Sequence, residues 1–235
     1  GRGEEKKIQQ TIDAMDMVGQ EIAELAPHTI IISSPHAPGY RDGFFLANSA
    51  RVLGSMARFG LPQLEDEVSI DREAVEFIKE IAFPIQVDTP ERSGYDMDHA
   101  VFVPLYFIHK YYRDFKVVLM GLSGLDGEGH YRLGMAIQKA MTALGRKAVF
   151  VASGDLSHVL REDGPYGYRK EGPVFDEKIV GLLKAADFKG LVAIGPEEMD
   201  EAAQCGTPSF QIMAGAFDGY DVDAELYSYE GPFGV

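Results

Sequence analysis

The chain holds one cysteine, Cys205, so it forms no internal disulfide. That scarcity fits a reducing compartment and makes the cytoplasm the expected location. Basic residues are also few: 22 Lys and Arg stand against 37 Asp and Glu, a formal charge of −15. This balance argues against nucleic acid or an anionic membrane as a partner, because both require basic surface to release counterions or meet headgroups. Long hydrophobic runs are missing, since no apolar stretch approaches the roughly 18 residues that a membrane span needs. The opening Gly1-Arg2-Gly3-Glu4-Glu5 lacks the apolar core of a signal peptide. Repeats, low-complexity tracts and long linkers are absent as well. What remains is 235 residues, 46% of them apolar, enough for one large domain with a substantial core.

The apolar residues fall into an alternating order of helices and strands. Ile8, Ile12, Met15, Val18, Ile22 and Leu25 recur at helical spacing until Pro27 ends the pattern. A strand over 29–33 follows. Helical patterns over 72–82, 128–144, 174–186, 197–203 and 209–217 alternate with apolar runs at 116–122 and 148–152, an extended piece at 83–87 and a final strand at 225–229. This order predicts an α/β fold: a single three-layer α/β/α domain with a mostly parallel central sheet.

The chemistry-bearing residues sit where those strands end. Ala148-Val149-Phe150-Val151-Ala152 runs into Ser153-Gly154-Asp155-Leu156-Ser157-His158, and Thr29-Ile30-Ile31-Ile32-Ser33 runs into Ser34-Pro35-His36-Ala37-Pro38. Open α/β sheets place their sites beyond the carboxyl ends of their strands. Pro35 and Pro38 stiffen the turn around His36, which suits a metal ligand. A one-turn helix would bring Asp155 beside His158 and set its tautomer, although Asp155 reads equally well as a helix N-cap. His99 opens an apolar helical run. His28, His109 and His130 read as structural histidines, and a satisfied structural role is the commoner fate of any one histidine beside a strand. Tyr40, Phe44, Phe45, Tyr166 and Tyr168 supply aromatic surface for a pocket or, more commonly, for a core.

Taken jointly, Ser34-Pro35-His36-Ala37-Pro38, Asp98-His99-Ala100 with Val103-Pro104-Leu105-Tyr106-Phe107, and Gly154-Asp155-Leu156-Ser157-His158 resemble the class III extradiol ring-cleavage dioxygenases of the LigB superfamily. The closer likeness is to the LigB-like branch associated with AMMECR-type and radical-SAM partners and related to Memo proteins. The resemblance implies a non-haem Fe(II) site that takes a catechol-type aromatic and O2. It assigns His36 to the metal, His99 to a supporting place beside substrate or oxygen, and His158 to acid–base work. For a further ligand, Glu201 and Cys205 compete within Glu201-Ala202-Ala203-Gln204-Cys205-Gly206; Cys205 matches the Memo relatives, and as a bland alternative is a small buried apolar residue. Family members begin with a strand ending in a His-Pro turn, ahead of the helix that opens this chain, so the expectation is that this N-terminal strand and its ligand are missing from 1–235. Three functions stay open: the dioxygenase, a Memo-like metal protein working with an AMMECR-type partner, and a metal-dependent hydrolase or non-catalytic interaction module. A homo-oligomer is compatible with each.

Overall fold

A computed structural model describes residues 3–91 and 94–235; Gly1 and Arg2, which entered the leader-peptide reading, lie outside them. The elements in chain order are α1 (Gln9–Leu25, led in by a 3-10 turn at Glu4–Ile8), β1 (Thr29–Ser34), β2 (Gly43–Phe45), β3 (Arg51–Met56), β4 (Leu61–Ser69), α2 (Arg72–Ile81), β5 (Gln86–Asp88) and α3 (His99–His109). There follow β6 (Lys116–Gly121), α4 (Gly127–Ala143), β7 (Ala148–Ala152), α5 (Glu171–Lys184), α6 (Phe188–Val192), α7 (Pro196–Ala202) and α8 (Thr207–Ala216).

The central sheet is parallel, in the order β6-β1-β7. Its middle strand is buried at all six positions, as a strand covered on both faces must be. Thr29 pairs with Lys116 and with Ala148, and Ser33 with Met120 and Ala152, so the three carboxyl ends finish level. Side-chain alternation along β7 defines the layers. Val151 faces a wall made by Met15, Val18 and Ile22 of α1 and Val103 and Phe107 of α3. Ala148 and Phe150 point the other way, toward Ile137 and Met141 of α4 and Ala216 and Phe217 at the end of α8. The fold is thus α/β, with a mostly parallel central sheet and helices around it. No helix among the described residues is long and apolar enough to cross a membrane.

Four helices, α2, α3, α4 and α6, start at an aspartate whose side chain accepts from backbone amides of the first turn, which uses part of the acidic surplus locally. A second apolar cluster, Phe175, Ile179, Leu191, Ile194 and Ala202, holds α5, α6 and α7 together beside the main core.

Two sequence expectations need correction, and one element adds to them. Residues 225–229 form no strand: this segment is irregular, with the Tyr227 hydroxyl on Glu21 and the Ser228 hydroxyl on Thr11. In place of a ladder its side chains bond to α1 and, through the Tyr229 hydroxyl, to Asp176 of α5. The extended piece at 83–87 is the short strand Gln86–Asp88, paired with β2. The β3–β4 hairpin is the added element: Glu65, Asp66 and Glu67 make one of its strands read as solvated chain.

Helices α4 and α8 pack at backbone contact. A Cβ at Gly215 would stand 1.9 Å from the Tyr131 carbonyl oxygen, and one at Gly134 would stand 2.0 Å from that of Ile212. Gly215→Ala should therefore destabilise the protein by at least about 3 kcal/mol, the upper end of ordinary overpacking, since backbone rather than a flexible side chain must move. A urea midpoint equal to wild type would contradict this packing.

Candidate functional site

The site is assembled where β1 and β7 end against the start of α3. Asp98, the α3 N-cap, accepts from the amides of Ala100 and Val101 at 2.8 and 3.2 Å. The same carboxylate accepts the Ser34 hydroxyl at 2.9 Å to each oxygen and the Tyr95 hydroxyl. The Ser34 hydroxyl in turn accepts the His36 amide at 3.1 Å. One carboxylate thus joins the end of β1 to the first turn of α3, and His36 and His99 face each other with ring centroids 4.4 Å apart. β7 is tied to the same turn, because the Ser153 hydroxyl donates to the Ala100 carbonyl at 2.7 Å.

A second group forms beside this pair. The Asp155 carboxylate lies 3.3 Å from His158 Nε2, and donor atoms of Asp155, His158 and Cys205 all fall within 4.8 Å of one another. Backbone crossings hold it together: the amides of Cys205 and Gly206 donate to the Asp155 carbonyl, the Asp155 amide donates to Cys205 Sγ at 3.2 Å, and the His158 amide donates to the Ala202 carbonyl. Such proximity requires glycine. Gly154 has φ +146°, and a Cβ there would meet Gly206 Cα at 2.5 Å. No helix forms over 155–158, so Asp155 caps nothing; an irregular turn brings it to His158 instead.

An apolar cavity of about 470 Å³ opens on both groups, lined by His36, His99, Ser153, Gly154 and Asp155 at its polar end and by Met15, Val18, Val103 and Phe107 along its walls. Tyr166 stacks on His158 with centroids 5.3 Å apart. Burial lowers the pKa of His99, with the neighbouring His36 adding to the effect, so His99 favours its neutral form. Burial pushes the Cys205 thiol up to about 11, a shift to which the charge of Asp155 adds.

Of the residues singled out in the sequence, His36 and His99 form one pair at the carboxyl edge of the sheet, and His158 and Cys205 form a second group with Asp155, which lines the same cavity as the pair. Glu201 is exposed on α7, outside the three-donor group. His28, His109 and His130 are satisfied elsewhere: His28 by the Lys147 amide, buried His109 by Asp66, and buried His130 by the Asp126 carbonyl and the Ser123 amide. Phe44 and Phe45 are core residues. The sequence marks Asp155 as a partner of His158 but not as a donor in its own right; its contact with Cys205 spans 50 residues and leaves no local signal.

A carboxylate, an imidazole and a thiol that converge this closely, with two more histidines adjacent, fit a first-row metal of borderline softness. The whole chain, residues 1–235, matches the family described as the catalytic LigB subunit of aromatic ring-opening dioxygenase, and the chain belongs to that family. Protein CA_C1420 of Clostridium acetobutylicum is 39% identical over 244 residues, covering 100% of this chain and 52% of that protein. A MEMO1 family protein of Pyrobaculum aerophilum is 33% identical over 149 residues, 63% of this chain and 49% of its own length. One from Archaeoglobus fulgidus is 31% identical over 97 residues, 41% and 35% respectively. The chain spans about half the length of these curated relatives, or less. The crystal structure of an uncharacterised Escherichia coli K12 protein aligns with TM-score 0.64 at 17% identity, over 88% of this chain and 83% of that one, a likeness of fold.

Two outcomes follow from this geometry. Asp98→Ala removes the N-cap and both links to β1, and should cost about 1–2 kcal/mol by thermal or urea unfolding; Asp98→Asn, which keeps acceptor capacity, should cost less. In the metal-free protein Cys205 should resist iodoacetamide at pH 8, where a thiol titrating at about 11 is ionised to roughly one part in a thousand, and alkylation should climb about tenfold per pH unit toward 10. Rapid labelling at pH 7, followed by mass spectrometry, would show that the thiol is not buried as described.

Proposed function

We propose that this chain is the catalytic module of a non-haem Fe(II)-dependent extradiol dioxygenase that opens the ring of a catechol-type aromatic with O2. The observation that carries the reading is an apolar cavity at the sheet's carboxyl edge that is lined by His36, His99 and Asp155, with His158 and Cys205 grouped behind Asp155. A cavity of about 470 Å³ is in the size range of small-molecule sites and admits a single substituted ring.

In this reading His36 and Cys205 help hold the iron, and Cys205 gives up its proton to do so. When bound, Fe(II) supplies the redox chemistry that dioxygen needs to react with an aromatic ring. The protein's own residues do the rest. Met15, Val18, Val103 and Phe107 grip the ring's apolar faces and exclude water. His99, kept neutral by burial, donates or accepts one hydrogen bond beside the ring. His158, oriented through Nε2 by the Asp155 carboxylate, accepts the catechol proton and returns it as the ring opens. A cytoplasmic location and an AMMECR-type or radical-SAM partner belong to the same proposal, and the relatives' greater length leaves room for such a partner within one chain.

A second reading is favoured by the make-up of the three-donor group. Asp155, His158 and Cys205 could together form the metal site of a Memo-like protein that cleaves no catechol. His158→Ala separates the two in full-length protein loaded with Fe(II) without oxygen. For a dioxygenase the variant should keep its iron and lose about 10²- to 10⁴-fold in oxygen uptake with a panel of catechols. If the variant instead loses its metal, and the wild type consumes no oxygen with any catechol, the Memo-like reading replaces the first.

A further inference from the structure

The turn that carries His158 is irregular, and its donors are met from far away in the chain. The Ser157 amide donates to Asp176 Oδ1 on α5 at 2.8 Å, and the Ser157 hydroxyl donates to the Ala202 carbonyl at 3.0 Å. Helix α5 comes this close because position 172, one turn before Asp176 on the same face, is glycine. A Cβ at Gly172 would meet the Ser157 hydroxyl oxygen at 2.7 Å. Asp176 itself is 1% exposed. Burial raises the pKa of its carboxyl, and the bonds from Tyr229 and Ser157 oppose that rise. The Tyr229 hydroxyl donates to Asp176 Oδ2 at 2.5 Å.

Tyr229 belongs to a C-terminal segment that also holds α1. The Glu230 carboxylate accepts the amide and the hydroxyl of Thr11 at 2.7 and 2.8 Å. It thereby satisfies a first-turn amide of a helix whose N-cap residue, Ile8, makes no side-chain cap bond. Thr11 lines the cavity. Two adjacent residues thus bond in opposite directions, Tyr229 to α5 behind the His158 turn and Glu230 to the α1 wall. Four residues on, the Gly234 carbonyl accepts the Leu160 amide at 3.3 Å, so contacts traceable to this segment flank His158 on both sides.

We propose that Asp176 and Tyr229 are positioning residues for His158, which makes the C-terminal segment a working part of the site. A charged acceptor makes a stronger bond than a neutral one, and this one fixes the backbone one residue before His158. With the Ser157 amide held, the imidazole keeps Nε2 3.3 Å from Asp155 and its ring stacked on Tyr166. With the amide released, the turn opens locally while the sheet and α4 stay packed. The proposal stands on either reading of His158, as base or as metal ligand, because it concerns only where the ring is placed.

The test is carbethoxylation by diethyl pyrocarbonate at about pH 7, read histidine by histidine by mass spectrometry on the full-length protein without added metal. The other histidines are internal references: exposed His28 should label fast, and buried His109 and His130 should stay unlabelled. His158, with 17% of its side chain exposed, should label slowly in wild type. Asp176→Ala should raise the His158 rate at least about tenfold, the factor that one charge-assisted bond supplies. Asp176→Asn, which still offers the Ser157 amide an oxygen, should restore most of the protection. Tyr229→Phe removes only the bond that aims the carboxylate and should raise the rate about threefold; it carries the test alone if Asp176→Ala fails to fold. A wild-type His158 rate in Tyr229→Phe overturns the proposal. So does labelling of His109 and His130 in step with His158, which marks general loosening of the fold instead of a displaced ring.

Discussion

The site depends on the carboxylate of Asp98. As an N-cap it would stabilise one helix by about 1 kcal/mol, an ordinary role. Here the same two oxygens also take the hydroxyls of Ser34 and Tyr95, so a strand end, a helix start and the loop before the helix share one acceptor. A carboxylate offers about four lone-pair positions, and Asp98 fills them with donors from three segments. That sharing fixes the separation of His36 and His99, which come from positions 63 residues apart (99 − 36).

The second half of the site is built from backbone. Neither Asp155 nor Cys205 owes its place to regular secondary structure; each sits in a turn, and the amides of 205 and 206 converge on the carbonyl of 155. The small apolar cluster under α5–α7 makes this crossing stable, because it fixes the segment that delivers Cys205 to the end of β7. Burial that keeps the thiol neutral also makes it a latent ligand. Loss of its proton to a metal would recover the Coulomb energy that the protein interior denies to an isolated thiolate.

Membership of the LigB family and a shared α/β fold define a scaffold, not a reaction. Within that scaffold the competing readings separate most sharply at His158. His158 either accepts a proton with Asp155 behind it, or joins Asp155 and Cys205 as a third donor, and an imidazole nitrogen bound to a metal is no longer a base. The family description names a ring-opening dioxygenase subunit, whereas two of the similar proteins carry MEMO1 family names.

Periodicity by itself determined the order of the main helices and strands, the parallel sheet, and the placing of His36 and His158 beyond strand ends. These follow from local burial: a strand covered on both faces must be apolar throughout, and parallel connections bring carboxyl ends to one edge. The charge balance and the single cysteine were equally legible, and the joint motif pattern pointed to the family. Three features were decided by tertiary structure alone. The acidic β4 reads as solvated chain until β3 pairs with it and carries Phe59 to His99. Residues 225–229 alternate like a strand but spend their hydroxyl donors on α1 and α5. Asp155 and Cys205 meet across 50 residues through a glycine contact that no local window contains. In each case the deciding partner lies far away in the chain, and propensity records only what neighbours in sequence can bury or bond.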